Sequence, residues 1–282
     1  MTIREAINQA AERLSVSEHL RSDAQRDATL LLLHTLGIAR AQLLADPDRI
    51  LTPDQRERFE QLVARRLTHE PIQYITSEQE FFGLALRVTR AVLIPRPETE
   101  HLVEAVLAEV DGTAGPSVVD VGTGSGAIAI ALAHHLRSAH ITATDISPAA
   151  LEVAAENAGR HRLAHRIRFV ESDLLDSVAQ HAPFDVIVSN PPYVPFAEGK
   201  NLHPQIRDFE PATALFATGS GLDIYRRLIP QANVALKPGG LLALEIGQGQ
   251  QAALADLLSG WNAVRFIPDL QQIPRVALAR KR

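Results

Sequence analysis

The chain of 282 residues contains no cysteine, which excludes disulfide bonds, thiolate metal sites and cysteine nucleophiles. It also lacks any run of 18 or more apolar residues. The residues after Met1 do not show the basic stretch followed by an apolar stretch that is typical of a leader peptide. We therefore expect a soluble, cytoplasmic protein without a targeting segment or membrane span. Basic residues are outnumbered by acids, and the net charge of −5 argues against a protein that grips nucleic acid over a broad surface.

Apolar residues make up 46% of the chain, enough for the core of one large domain or two modest ones. The first part of the sequence has the apolar spacing of helices. One helix is predicted over residues 23–36, with the leucines at 30–33 in its core. Arg65 and Arg66 lie in a later helical pattern, and we expect them to form a solvated helix face, with docking of a protein partner or RNA as the alternative. These patterns predict a small helical bundle over residues 1–74.

Residues 75–95 change to a shorter apolar period and predict a β-hairpin linker, with Gly83 near its turn. From residue 96 to residue 282, helical patterns alternate with short apolar runs. Seven strands are predicted, near residues 117–121, 140–145, 166–171, 184–189, 239–246, 263–268 and 275–280. Pro274 separates the last two strands and fits an antiparallel pair. The alternation indicates an α/β fold with a doubly wound sheet, whose ligands bind at the carboxyl ends of the strands.

A glycine-rich turn, G-T-G-S-G at residues 122–126, follows the first of these strands and precedes a predicted helix. Glycine lets the backbone approach a ligand closely, and the first turn of a helix has N–H groups without intrahelical partners. The spacing differs from the G-x-G-x-x-G of dinucleotide enzymes. It suits S-adenosylmethionine, which has no pyrophosphate and offers a carboxylate, an amine and a ribose diol. Asp145, at the end of the next strand, is placed to bind the diol.

The tetrapeptide N-P-P-Y at residues 190–193 follows the fourth predicted strand of this sheet. The side-chain oxygen of Asn190 can accept one N–H. Because Pro191 and Pro192 have no N–H, the strand ladder stops there and the Pro191 carbonyl can accept a second. Tyr193 adds a flat ring for stacking. The tetrapeptide therefore predicts a site for a planar –NH2 group with one face open to a methyl donor, although an ordinary proline turn remains the alternative.

Further motifs accompany these two. They are E-P-I-Q-Y-I at 70–75, F-F-G-L at 81–84, V-L-I-P-R-P-E-T-E at 92–100, E-P-A-T-A-L at 210–215, G-L-D-I-Y-R at 221–226 and E-I-G-Q-G-Q at 245–250. Over nearly its whole length the chain resembles the PrmC/HemK family of release-factor glutamine methyltransferases. N-P-P-Y is shared with adenine-amine methyltransferases of nucleic acids, whereas R-P-E-T-E at 96–100 is much more specific.

The resemblance implies a seven-stranded, Rossmann-like methyltransferase domain over residues 96–282, preceded by a helical substrate-recognition domain and the hairpin linker. It implies S-adenosylmethionine as cofactor, S-adenosylhomocysteine as product, and no metal ion. The implied cofactor-binding residues are Gly122, Thr123, Gly124, Ser125, Gly126, Asp145, Asp173, Leu174 and Asn190. The implied substrate-binding residues are Asn190, Pro191, Pro192 and Tyr193, of which Asn190, Pro191 and Tyr193 are expected to be catalytic.

Some residues keep two interpretations. Glu98, Thr99 and Glu100 either cap the helix that follows Pro97 or belong to a turn that closes over the cofactor. Glu245, within an apolar strand, can be a structural acid whose hydrogen bonds are satisfied. The irregular stretch 194–221 is long enough to form a substrate lid or docking loop.

The leading hypothesis is an enzyme that methylates the glutamine of the Gly-Gly-Gln motif in bacterial class I release factors and so supports translation termination. We expect a monomer that binds neither membranes nor, in a stable way, nucleic acid. One alternative is a nucleic-acid adenine methyltransferase that uses the same pocket for a flipped base. That alternative requires a basic or aromatic module, whereas the N-terminal helices are neutral to acidic. A cofactor-binding interaction protein without turnover is the second alternative.

Overall fold

The computed structural model of the protein describes residues 1–110, 112 and 114–282. Contacts within the chain divide it into two compact units. The first unit consists of Met1–Glu78 and Asn201–Phe209, and the second of Gln79–Lys200 and Glu210–Arg282. Residues 201–209 therefore leave the second unit and join the helical one, a connection that a linear division of the sequence does not include.

The first unit is helical. Its helices before residue 78 are α1 (Ile3–Ser15), α2 (Ala24–Leu36), α3 (Arg40–Ala45), α4 (Pro53–Leu67) and α5 (Ile72–Thr76). Helix α1 begins with a capping box, in which the Thr2 hydroxyl accepts from the Glu5 N–H and the Glu5 carboxylate accepts from the Thr2 N–H. In α2, Leu31 and Leu32 are buried, but Leu30 is 38% exposed, so its predicted core position is wrong. Four successive residues of a helix cannot all face one side.

Arg66 is buried within the first unit, so the expected solvated face is wrong for this residue. Its Nε donates to Asp27 at 2.7 Å and its Nη1 to the Glu70 carbonyl at 3.0 Å. Its Nη2 donates to Gln205, which belongs to the returning segment 201–209. Arg65 pairs with the Glu70 carboxylate through two bonds of 2.9 Å. The helical pattern does not reveal Arg66 as buried, because its partner Asp27 lies 39 residues earlier.

The second unit contains the strands. A hairpin of β1 (Glu78–Phe81) and β2 (Leu84–Arg87) turns at Phe82 and Gly83, both with positive φ. The other strands are β3 (Ser117–Val121), β4 (His140–Asp145), β5 (Ile167–Glu171), β6 (Phe184–Ser189), β7 (Val194–Pro195), β8 (Phe216–Ala217), β9 (Leu236–Glu245), β10 (Asn262–Pro268) and β11 (Pro274–Arg280). Strands β7 and β8 form a short parallel pair of their own.

Seven strands form one sheet in the order β10-β11-β9-β6-β3-β4-β5. Strand β11 runs antiparallel to both of its neighbours, and the pairs from β9 to β5 are parallel. The remaining helices are α6 (Glu98–Glu109), α7 (Ala127–His135), α8 (Pro148–Arg160), α9 (Pro204–Arg207), α10 (Ala212–Leu215), α11 (Asp223–Ala235) and α12 (Gln251–Leu257), of which α9 lies in the segment that joins the first unit. The predicted α/β class, the seven strands and the antiparallel finish are confirmed.

Both faces of the sheet are covered, which explains why most residues of the central strands β3 and β6 are apolar and buried. Along β3, Val118 packs into a core cluster with α6 and α7, whereas Val119 and Val121 pack into a second cluster with α11 and α12. Strands β3, β4 and β6 are adjacent in the middle of the sheet. The glycine turn, Asp145 and Asn190 therefore emerge together at the carboxyl edge. Within the described part of the chain, no helix is long and apolar enough to cross a membrane.

Candidate functional site

The glycine-rich turn connects β3 to α7 in a conformation that requires glycine. Gly122, Gly124 and Gly126 have φ values of +75°, +56° and +83°. At Gly126, a Cβ atom would lie 3.0 Å from Ile130 Cδ1 and 3.1 Å from Ala154 Cβ, so the residue also allows α7 to pack closely on α8. Gly122 and Gly124 instead line a cavity, where a ligand can approach their backbone.

Strand β4 holds this turn through backbone hydrogen bonds. The N–H groups of Gly122 and Thr123 both donate to the Thr144 carbonyl at 2.8 Å. The Gly124 N–H donates to one oxygen of Asp145, and the Ser147 N–H donates to the other, each at 2.9 Å. The Asp145 carboxylate is thus fixed at the edge of the cavity, where its remaining lone pairs can accept from a ligand.

Asp120 is a buried acid within β3 that was not among the predicted site residues. Its Oδ2 accepts from the Thr123 hydroxyl at 2.6 Å and from the Ala129 N–H at 3.1 Å. Complete burial raises the pKa of Asp120 to about 7, against the hydrogen bonds that lower it. Asp120 therefore ties the glycine turn to the first turn of α7. An acid inside the apolar run V-V-D-V was the signal that could have identified it.

A cavity of about 320 Å³ opens at the carboxyl edge of the sheet, within the size range of small-molecule sites. Of the predicted site residues, eight line it: Gly122, Gly124, Asp145, Asp173, Leu174, Asn190, Pro191 and Pro192. Four do not: Thr123, Ser125, Gly126 and Tyr193. The apolar walls come from residues 91–93, from Ile146 and Ala150, and from the stretch between Pro211 and Ile224.

Asp173 and Leu174 lie on the wall next to Asp145. Leu174 has a positive φ of +53°, which is uncommon for a leucine. Its carbonyl accepts from the Thr144 hydroxyl at 3.2 Å, and its side chain packs against the core. Asp173 accepts from Arg227 at 2.6 Å. Together they give the cavity an apolar surface bordered by a charged pair.

Asn190 occupies another part of the cavity wall, directly after β6. Its Nδ2 donates to the Thr99 hydroxyl at 3.1 Å, and that hydroxyl donates to Glu245 Oε2 at 2.6 Å. Among the described residues, no group donates to Asn190 Oδ1 or to the Pro191 carbonyl. Both oxygens are therefore available to accept hydrogen bonds from a substrate. Thr99 does not line the cavity but supports the residue that does.

Tyr193 lies behind the cavity, with its ring packed against the core. Its hydroxyl donates to Glu245 Oε1 at 3.4 Å. Burial, followed by the nearby Glu245 charge, raises the pKa of Tyr193 well above its ordinary value. Glu245 is itself fully buried, and burial raises its pKa to about 7. The interpretation of Glu245 as an acid with satisfied hydrogen bonds is therefore confirmed.

An ion pair joins two stretches of the cavity wall. Arg96 Nη2 contacts Glu210 Oε1 at 2.6 Å, and the Ile94 N–H donates to Glu210 Oε2 at 3.4 Å. Only 1% of the Glu210 side chain is exposed, and this burial raises its pKa despite the Arg96 charge. The pair fastens residues 91–93 to the wall that begins at Pro211. It explains chemically why the R-P-E-T-E and E-P-A-T-A-L motifs occur together.

The residues around the cavity fit S-adenosylmethionine. Gly122 and Gly124 expose backbone without a Cβ, Asp145 offers carboxylate oxygens to a diol, and Leu174 and Ile146 give an apolar surface for a purine. A search of residues 1–110, 112 and 114–282 finds no group of three histidine, aspartate or glutamate side chains that could hold a metal ion.

Comparisons with known proteins show the family to which the chain is similar. A model of the PrmC N-terminal domain matches residues 5–76, and a model of the methyltransferase small domain matches residues 98–209. The chain is 43% identical to the release factor glutamine methyltransferase of Koribacter versatilis over 281 residues, which cover 100% of this chain and 99% of that protein. It is 44% identical to that of Moorella thermoacetica, covering 100% and 99%.

Among solved structures, a 16S rRNA methyltransferase from T. thermophilus, in complex with AdoMet and guanosine, superimposes with a TM-score of 0.54. The match covers 73% of this chain and 50% of that one at 20% identity, and shows a shared fold. Full-length identity above 40% to the two curated relatives is decisive for the family. The chain belongs to the release factor glutamine methyltransferases.

Proposed function

We propose that this protein transfers the methyl group of S-adenosylmethionine to the side-chain amide nitrogen of a glutamine, that of the Gly-Gly-Gln motif in class I peptide chain release factors. The proposal rests mainly on the observation that predicted cofactor-binding and substrate-binding residues line the same cavity. The glycine turn and Asp145 line one part of its wall, and Asn190, Pro191 and Pro192 line another. A methyl donor and a planar amide can therefore meet in one enclosed space.

The amide-binding end supplies acceptors and no competing donor. A primary carboxamide has two N–H bonds, and Asn190 Oδ1 and the Pro191 carbonyl are both without a described donor. The nitrogen of an amide is a poor nucleophile because its lone pair is delocalised into the carbonyl. Two hydrogen bonds from its N–H groups return electron density to the nitrogen, and they orient its remaining face toward the rest of the cavity.

At the cofactor end, Gly122, Gly124, Asp145, Asp173 and Leu174 are the residues that would hold S-adenosylmethionine. When bound, this cofactor supplies a methyl group made electrophilic by a positively charged sulfur. Asp145 would accept from the ribose hydroxyls, and Leu174 would lie against the adenine. The apolar walls exclude water from the path between the two groups.

The departing proton needs no side-chain base in contact with the amide. Transfer replaces one N–H of the glutamine by N–CH3 and releases a proton. The N–H group becomes acidic once the nitrogen carries the methyl group, so the proton leaves after transfer. Glu245, a carboxyl close to Asn190, is separated from it by Thr99. We assign it no proton transfer with substrate.

The partner and location follow from the proposed substrate. A translation factor is modified where it acts, so the enzyme would be cytoplasmic. We further propose that it acts as a monomer and without a metal ion. Because its net charge is −5, we propose that it forms no stable complex with nucleic acid. In this scheme, the helical residues 1–74 recognise the release factor, residues 75–95 connect them, and residues 96–282 carry out transfer.

The direct test incubates the protein and labelled methyl donor, in parallel, with release factor, ribosomal protein, DNA and tRNA. The proposal predicts label in the release factor alone. As a matched control, a release factor whose Gly-Gly-Gln glutamine is replaced by asparagine should take up no label, because the shorter side chain does not reach the same nitrogen position. Label confined to DNA or tRNA would instead support an adenine methyltransferase and overturn the proposal.

A further inference from the structure

A chain of hydrogen bonds runs behind the amide-binding end of the cavity. It passes from Asn190 Nδ2 to the Thr99 hydroxyl at 3.1 Å and from there to Glu245 Oε2 at 2.6 Å. The other oxygen of Glu245 accepts from the Tyr193 hydroxyl at 3.4 Å. Thr99 and Glu245 are 4% and 2% exposed, so water does not replace either of them in the chain.

The direction of this chain is determined by counting protons. A threonine hydroxyl has one hydrogen, and Thr99 gives it to the Glu245 carboxylate, which can only accept. Thr99 can then only accept from Asn190, so Asn190 must turn its NH2 group toward Thr99. The carboxamide oxygen Oδ1 is consequently the atom that Asn190 presents to the cavity. A substrate –NH2 group requires this orientation, since the opposite one would place two donors face to face.

Tyr193 is itself held from two sides. Gln250 Nε2 donates to the Tyr193 carbonyl at 3.2 Å, and Gln250 Oε1 accepts from the Gly247 N–H at 3.0 Å. A Cβ at Gly221 would lie 2.3 Å from the Tyr193 carbonyl oxygen, and one at Gly247 would lie 2.9 Å from Tyr193 Cδ2. The close fit of these two glycines fixes the ring whose hydroxyl faces Glu245.

We infer that Glu245, acting through Thr99, is a positioning residue that sets the orientation of the Asn190 carboxamide and so makes its oxygen, not its nitrogen, face the substrate amide. The inference rests on the proposed function, because the required orientation is defined by a substrate that brings an –NH2 group. It assigns a role to the threonine of R-P-E-T-E and to the first residue of E-I-G-Q-G-Q. Neither residue touches substrate or cofactor.

Protonation of Glu245 reverses the direction of the hydrogen-bond relay formed by Asn190, Thr99 and Glu245. A protonated Glu245 can donate to the Thr99 oxygen, and the Thr99 hydrogen then points to Asn190, whose oxygen turns inward and whose NH2 group turns to the cavity. The groups that face the Glu245 carboxyl are Glu98 from α6, Arg275 from β11 and the hydroxyls of Thr99 and Tyr193. The Tyr225 hydroxyl lies nearby and donates to the backbone carbonyl of Glu245. Burial and Glu98 favour the protonated acid, whereas Arg275 and the two hydrogen bonds favour the carboxylate. Methyl transfer should therefore fall as the pH drops below about 7.

The first test compares Thr99→Val with Thr99→Ser. Valine has the shape of threonine without the hydroxyl, so the Asn190 NH2 group loses its buried partner and turns toward the hydrated cavity. We expect kcat/KM for release factor to fall about 5- to 150-fold in Thr99→Val, because the orientation that the substrate requires holds the NH2 group inward and now leaves one buried donor unpaired. Thr99→Ser keeps the hydroxyl and should retain most of the activity. The affinity for S-adenosylmethionine, measured by calorimetry, should be unchanged in both variants.

A second test removes the titratable carboxyl at position 245. In Glu245→Gln, the amide oxygen can accept from Thr99 while the amide NH2 faces the Tyr193 hydroxyl, so the bond direction is kept at every pH. The wild-type enzyme should lose activity below about pH 7, and this acid limb should disappear in Glu245→Gln. An unchanged acid limb in the variant overturns the inference.

A third measurement needs no substitution at the relay. The side-chain ¹⁵N and ¹H signals of Asn190, assigned by comparison with Asn190→Ala, should shift between pH 5 and pH 9 in the wild-type protein. Constant signals over this range overturn the inference even if Thr99→Val does not fold. Equal activity of Thr99→Val and Thr99→Ser overturns it as well. If the wild type transfers no methyl group to release factor, the proposed function fails, while the Asn190 signals still decide the relay.

Discussion

Replacement of Asp145 by alanine tests the cofactor end of the cavity. Asp145 accepts two backbone hydrogen bonds of 2.9 Å, one from Gly124 in the glycine turn and one from Ser147 at the start of α8, and is the carboxylate that would accept from the ribose hydroxyls. Each hydrogen bond to a charged acceptor contributes about 1.5–3 kcal/mol. Loss of one such ligand contact corresponds to a rise of about 10- to 150-fold in the Kd for S-adenosylmethionine.

The same substitution also frees two backbone N–H groups at a partly hydrated edge. Because water at this edge can replace the lost carboxylate as acceptor, we use the lower value of about 0.5–1.5 kcal/mol for each bond and expect a loss of about 1–3 kcal/mol in the free energy of unfolding. Affinity must therefore be measured by calorimetry at a temperature where thermal melts show both proteins folded. Both S-adenosylmethionine and S-adenosylhomocysteine should lose affinity, because they carry the same ribose.

Glu171 provides a matched control. It pairs with Asp145 in the sheet register between β4 and β5, but it is exposed and does not line the cavity. Glu171→Gln should leave cofactor affinity unchanged. An unchanged affinity in Asp145→Ala would remove Asp145 from the ribose site, and equal weakening in both variants would show a general effect of charge at this edge.

Three further outcomes are expected. Asn190→Ala should abolish methyl transfer while largely sparing cofactor affinity, since it removes an amide acceptor; rapid transfer by this variant would refute the pocket. Gly221→Ala should lower the free energy of unfolding by at least about 1–3 kcal/mol, the cost of a non-glycine residue at its φ of +80°, and more because its Cβ meets the Tyr193 carbonyl; a urea titration that matches wild type would contradict this. Asp120 has a pKa raised from 3.8 to about 7, so its folded state binds the proton more tightly and its contribution to stability should fall between about pH 4 and 7. Relative to Asp120→Asn, wild-type stability should decline over this range by at most about 1.4 kcal/mol per pH unit, and parallel pH curves for the two proteins would refute the assignment.

Much of the second unit could be predicted because its strands and turns are specified by residues that are neighbours in the sequence. Strands β3 and β6 are mostly apolar, as parallel packing with both faces covered predicts, and β4 alternates Ile141 and Ala143 with threonines. A glycine, an acid or an Asn-Pro pair marks the end of each of these strands. Since carboxyl ends of parallel strands meet at one edge, the sequence placed Gly122, Asp145 and Asn190 together correctly. Strand β9 begins at Leu236, earlier than the predicted residue 239, because Leu236 already pairs with Phe184 of β6. The K-P-G-G turn composition lies in an irregularity after Leu236, and regular pairing resumes at Leu241.

The contacts that sequence patterns did not reveal join residues far apart in the chain. Thr99 and Glu245 are 146 positions apart, and the sequence did not reveal the hydrogen bond that joins them. From the sequence, Thr99 could be interpreted as part of a helix cap or of a turn over the cofactor, and Glu245 as a structural acid. Arg96 and Glu210 are separated by 114 positions. Periodicity reports which face of an element is buried, but it does not report which element covers that face. Pairing of this kind requires the three-dimensional structure.

The most direct measurement is a crystal structure of the protein with S-adenosylhomocysteine and a Gly-Gly-Gln peptide. We predict that the glutamine nitrogen lies within about 3 Å of both Asn190 Oδ1 and the Pro191 carbonyl oxygen, with the sulfur of the cofactor product on its uncovered side. A carboxamide bound elsewhere, or an Asn190 NH2 group directed at the glutamine nitrogen, would contradict it.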